Sequence, residues 1–119
     1  VMAHNRWHIE SEGDRLTLSR RAGARLDFAV QTRLPDGNRL RIAHQIRQDL
    51  WRRLQGLRGF SPVVVVERRG GALFVQAGGQ VDTRVFAKAW VEAAARDVLT
   101  CARNRQRWSA FAAQRGEAV

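Results

Sequence analysis

Arg25-Leu26-Asp27-Phe28-Ala29-Val30-Gln31-Thr32-Arg33-Leu34-Pro35-Asp36-Gly37-Asn38-Arg39-Leu40-Arg41-Ile42 is the stretch on which the fold turns. Leu26, Phe28, Val30, Thr32 and Leu34 alternate with Arg25, Asp27, Ala29, Gln31 and Arg33, which is the two-residue period of a strand with one face packed. Pro35 presets the first position of a turn, and Gly37 accepts a left-handed one. A three-residue loop there returns the chain as a fourth strand, with Val30 opposite Ile42 and Thr32 opposite Leu40. The same register sets Arg33 against Arg39, and like charges facing each other across strands cost a few tenths of a kcal/mol to about 1 kcal/mol. Either an anion relieves that pair or both guanidinium groups splay into water.

Towards the N-terminus, residues 7–20 read as a hairpin. Trp7, Ile9, Leu16 and Leu18 alternate around a Gly13-Asp14 turn, which places Ile9 opposite Leu18 and Ser11 opposite Leu16, so the apolar side chains share a face. Towards the C-terminus the period becomes helical. Ile42, Ile46, Leu50, Leu54 and Leu57 form one stripe, predicting a helix over about 43–58, with Gly56 and Gly59 at its stop. Val63-Val64-Val65-Val66 is a β-branched run suited to a strand buried on both faces, and Gly70-Gly71 turns it into Ala72–Gln76. From Asp82, which can cap it, the pattern predicts a helix running towards Arg115 with a core stripe of Phe86, Ala89, Trp90 and Ala93. Unbroken, it would be about 50 Å long at 1.5 Å per residue, against a radius of gyration of about 13 to 14 Å for a chain of this size. It must break, project or pack on another subunit, and the interrupted stripe at residues 103–107 marks the expected break.

The expected class is therefore α+β: a four-stranded antiparallel meander, a helix, a β-hairpin and a long C-terminal helix. One compact domain over 1–119 is expected, with 104–119 a projecting or folded-back helical segment. At 119 residues, with 45% hydrophobic and 27% charged residues, the chain has the composition of a folded protein rather than a disordered tail.

Charge carries the functional expectation. Twenty arginines and Lys88 stand against eleven acidic residues, a formal charge of +10. A GC-rich genome favours arginine over lysine without adding positive sites, but the shortage of acids survives that discount. A field of this sign concentrates phosphates and carboxylates around the protein. Arg15, Arg25, Arg33, Arg39 and Arg41, with Thr17, Ser19 and Gln31, are the candidates for a basic sheet face that binds nucleic acid, by phosphate contact or by stacking on bases. That face lacks the aromatic residues on which single strands usually stack. The alternative is a protein interaction module, either an acidic protein's partner or a homodimer, using Trp108 and Phe111 on the last helix as anchors.

Catalysis has less to stand on. His4 and His8 would be spread too far apart on a strand to share a metal, and no acidic or cysteine cluster completes a site. His44 reads as a surface position. Cys101 is the sole cysteine, which forbids an intramolecular disulfide and suits a reducing compartment, so a cytoplasmic location is expected. It reads as a small hydrophobe on the packed side of a helix. Asp97 falls on the stripe of Phe86, Trp90 and Ala93, where a half-buried carboxylate needs an arginine partner. The glycine pairs lack the arrangement of a phosphate loop. No metal, cofactor or membrane span is expected.

Overall fold

Asn38 ends the turn after the third strand and begins a helix, where a return strand was expected. The computed structural model describes residues 7–113. Asn38 has extended backbone angles, and its side-chain oxygen accepts from the Arg41 N–H at 3.0 Å, while the Ile42 N–H reaches the Asn38 carbonyl at 3.0 Å. These bonds satisfy donors that open every helix, so α1 spans Arg39–Leu54 and not 43–58. Leu40 and Ile42 fit period 2 and period 3.6 equally well. The cap decides between them, and it also removes the repulsion that pairing would have imposed on Arg33 and Arg39.

The remaining elements are β1 (His8–Glu12), β2 (Arg15–Ser19), β3 (Phe28–Pro35), β4 (Phe60–Arg69), β5 (Ala72–Val81), α2 (Lys88–Thr100) and α3 (Ala102–Ala113). They make an α+β fold with one antiparallel five-stranded sheet in the order β1-β2-β4-β5-β3. The first hairpin has the expected register, with Ile9 opposite Leu18 and Ser11 opposite Leu16. The valine run lies in the central strand β4 and is buried throughout. The meander does not extend to β3. Residues 20–27 cross the end of the sheet instead, and β3 pairs with β5 on the far edge, Val30 opposite Ala77. α1 then carries the chain back to the centre, and β4 inserts between β2 and β5.

All three helices cover one face of the sheet. Leu18, Val30, Ile46, Leu50, Val64, Ala77 and Leu99 meet there as the core. The radius of gyration is 13.8 Å, because the C-terminal helical stretch folds back on α1 as far as Ala113; residues 114–119 of the expected segment lie outside the described residues. Its break is at Cys101, whose backbone is extended, rather than at 103–107.

The phase of α2 also differs from expectation. β5 runs on to Val81, so Asp82 caps no helix, and α2 starts only at Lys88. Phe86 lies before it and does not set its phase. The buried stripe is Val91, Ala94, Ala95, Val98 and Leu99, which leaves Ala89, Trp90, Ala93 and Asp97 facing water. Asp97 is thus not half-buried among apolar groups; it meets Arg53 at 3.6 Å on the surface.

Candidate nucleic-acid interface

The sheet face away from the helices gathers less charge than expected. Residues directly opposite in antiparallel strands share a face, so one row reads Glu12, Arg15, Glu67, Phe74, Arg33 and the next Glu10, Thr17, Val65, Gln76, Gln31. With Arg69 added, three arginines meet three glutamates. Arg69 lies 3.1 Å from Glu67. Phe74, unassigned from sequence, does supply an aromatic, but Arg33 and Arg69 sit over its ring at 5.4 and 4.7 Å. A shallow depression of about 230 Å³ lies beside it.

Of the five arginines expected on this face, only Arg15 and Arg33 are there. Arg25 lies in the crossing segment, where its guanidinium holds Asp27 and Asp82, each at 3.1 Å. Hydrogen bonds from Arg25, then from the Val81 N–H, keep the Asp27 carboxyl below its ordinary pKa, and those from Gln80 and Arg25 do the same for Asp82. This cluster ties the crossing to the end of β5. Arg39 and Arg41 belong to α1 because the fourth strand is a helical turn. Arg39 donates to the Gly13 carbonyl at 3.4 Å, and Arg41 reaches α3.

The helix layer holds the imbalance. α1 carries Arg39, Arg41, Arg47, Arg52 and Arg53 with Asp49 as its one acid, and α3 carries Arg103, Arg105 and Arg107 with none. The two helices pack antiparallel: Asp49 meets Trp108, Gln45 meets Arg107, and Arg41 sits 5.1 Å over Phe111 and donates to its carbonyl at 3.5 Å. At the chain turn the Asn38 N–H reaches the Ala112 carbonyl, and a Cβ on Gly37 would lie 3.1 Å from that of Ala112. The close approach explains glycine at that place.

Asp49 is the pivot of this seam and was not singled out from sequence. It is 9% exposed and accepts from Trp108 Nε1 at 2.7 Å, from Arg107 at 2.8 and 3.1 Å, and from Arg52 at 3.2 Å. A buried carboxylate is tolerable only when it is paired and hydrogen-bonded. Trp108 is wholly buried, so it is a core residue of this chain and not an interface anchor. Phe111 is 41% exposed. Arg105 turns inward to Thr32, the Leu99 carbonyl and the Arg33 carbonyl, sealing the outer edge of β3. What faces water along the seam is Arg52, Arg103, Arg107, Gln48 and Gln106, with Arg41 and Gln45 half-buried. Arg103 has no ion-pair partner among the described residues. Sequence reading took the Arg103–Arg107 run for a helix break; its even spacing of charge in an acid-free segment was the available signal.

A second basic cluster lies on the other side of α1. Arg20 and Arg47 approach the Trp7 ring at 5.0 and 4.6 Å, and His44 meets it edge-on at 6.5 Å. Burial, then the neighbouring Arg47 charge, lowers the His44 pKa, and His44 Nδ1 contacts Arg47 at 3.1 Å.

Elsewhere, His8 pairs with Glu10 at 3.0 Å, and His4 lies outside the described residues. No group of three His, Cys, Asp or Glu side chains close enough to hold a metal occurs among the described residues. Cys101 is half-buried at the joint of α2 and α3. No helix of the described residues is long and apolar enough to cross a membrane. No protein-family model, curated protein or solved structure matches the chain.

Proposed function

We propose that this is a non-catalytic nucleic-acid-binding protein that holds phosphates along the α1–α3 seam. One observation carries the reading: along the seam Arg41, Arg52, Arg103 and Arg107 stand against Asp49 as the one carboxylate of the two helices, and that carboxylate is buried and also holds Trp108. Arg52 and Arg107 share that one carboxylate and Arg103 has no acid partner among the described residues, so positive charge is in excess on the solvent side, the condition under which a polyanion is drawn in and its counterions released. α1 is 16 residues long, about 24 Å at 1.5 Å per residue. That length follows a nucleic-acid strand over several phosphates. Arginine suits the task because its planar fork can bind two phosphate oxygens at once, and the glutamine amides between the arginines add neutral hydrogen bonds. Phe111 offers a ring at the end of the seam on which a base can stack.

The test is a fluorescence-anisotropy titration against labelled single-stranded DNA, duplex DNA and RNA at several salt concentrations, with poly-glutamate as a competing acidic polymer. Affinity for at least one nucleic acid should fall linearly with salt on logarithmic axes, the slope counting the phosphates engaged. Poly-glutamate should compete poorly. Absence of binding at low salt, or equal affinity for poly-glutamate, would overturn the proposal.

A further inference from the structure

The stripe expected to pack in the core, Ala89, Trp90 and Ala93, is a real apolar stripe that faces outward. Trp90 is 61% exposed and Val85, just before α2, is 84% exposed. Between them and the end of α1 lies an open groove of about 460 Å³, with Leu54 and Val91 at its base and Leu57, Phe86, Val85 and Trp90 along its sides. A tryptophan wall beside an apolar hollow is a common anchor of protein interfaces. The groove differs from the α1–α3 seam in chemistry, being mainly apolar where the seam is polar.

Its rim selects the occupant. Arg53 and Arg58 line the groove, and Arg84 and Lys88 flank Val85 and Phe86 in the chain. Arg58 and Arg84 have no ion-pair partner among the described residues, and Arg53 has only Asp97, at 3.6 Å on the surface. A second copy of this chain would bring four like cations over these four, with a formal charge of +10 on each molecule. Like-charge juxtaposition of that kind suppresses a pairing, whereas opposite charge favours it. We propose that the groove docks an acidic peptide segment of another protein, its large apolar side chains seated against Trp90 and its carboxylates on Arg53, Arg58, Arg84 and Lys88. Apolar anchors set into a groove, with charge at the rim, are an established mode of peptide recognition.

The experiment is selection of random 16-residue peptides displayed on phage against the wild-type protein, with counter-selection against Trp90→Ala. Both positions are on the surface, so Trp90→Ala and Val85→Asp should fold, which circular dichroism checks. The enriched peptides should carry net negative charge with two or three large apolar residues. A fluorescein-labelled member should bind at least about tenfold more weakly to either variant, while binding normally to Arg103→Ser on the seam. Sedimentation should give a monomer mass. Enriched peptides that are neutral or basic, or equal binding by Trp90→Ala, would overturn the proposal. So would a wild-type dimer that Trp90→Ala converts to monomer, since a second copy would then be the occupant, or loss in Trp90→Ala of binding to phosphatidylglycerol vesicles, which would make the surface a membrane contact.

Discussion

The open sheet face and the α1–α3 seam both display arginine, yet they differ in what stands beside it. On the sheet, strand pairing forces each arginine next to whatever its neighbour strand carries, and β1 and β4 bring Glu10, Glu12 and Glu67 to meet Arg15, Arg33 and Arg69. On the seam, the single carboxylate is drawn inward and shared by Trp108, Arg52 and Arg107, so positive charge is in excess on the solvent side and Arg103 has no acid beside it among the described residues. The number of arginines on a surface thus says little about its field; the placement of the acids decides it.

The comparison breaks most severely if α3 leaves its place. Trp108→Ala removes a fully buried indole, and truncations of this kind cost about 3–5 kcal/mol. A urea denaturation curve should record that loss, and nucleic-acid binding should fall with it because the seam needs both helices. A loss under about 1 kcal/mol would mean that the indole is not packed as described. Asp49→Leu comes next. It frees Arg52 and Arg107 to water but strands the Trp108 N–H without an acceptor, for about 1–3 kcal/mol. Asp49→Asn keeps an acceptor and should lose less.

Acidification makes a smaller change. Burial lowers the pKa of His44 in the folded protein, so the unfolded chain binds the proton more readily and stability falls as pH drops below the unfolded value of about 6.5. His44→Gln should flatten the decline of the denaturation midpoint between pH 7.5 and 5.5. An identical decline in both proteins would remove His44 as its source. Asp27 acts in a lower window: its folded pKa is depressed, so its contribution is present above the unfolded value of about 3.9 and lost as pH falls through the folded one. Least of all, serine at Arg15, Arg33 and Arg69 together should leave the salt dependence of binding unchanged, because those charges are already balanced on their own face.

Local pattern made part of this legible from the residues alone. The Gly13-Asp14 and Gly70-Gly71 hairpins, the buried valine strand and the Ile42–Leu54 stripe all follow from contacts between near neighbours in the chain. The partner of β3 did not, because nothing within residues 26–34 distinguishes pairing with β2 from pairing with β5; the choice is made by residues of β5, far along the chain. Leu40 and Ile42 satisfied two periods at once, and the cap at Asn38 chose. Trp90 was misplaced for a related reason, since Phe86 was counted into a helix that begins at Lys88. The charge balance of the sheet was within reach: the first hairpin's register alone puts Glu12 beside Arg15 and Glu10 beside Thr17. The Asp49–Trp108 contact was not, being a pairing of residues 59 apart.

The measurement that bears most directly on the seam is the salt slope of nucleic-acid binding in two triple variants, Arg41→Ser/Arg52→Ser/Arg103→Ser and Arg15→Ser/Arg33→Ser/Arg69→Ser, each removing three charges from +10. On duplex DNA each lost phosphate contact lowers the slope by about 0.9, so the seam variant should lose up to about 2.7 and the sheet variant close to nothing. Equal losses in the two would contradict a localised seam and leave only net charge, and a larger loss in the sheet variant would move the binding surface to the strands.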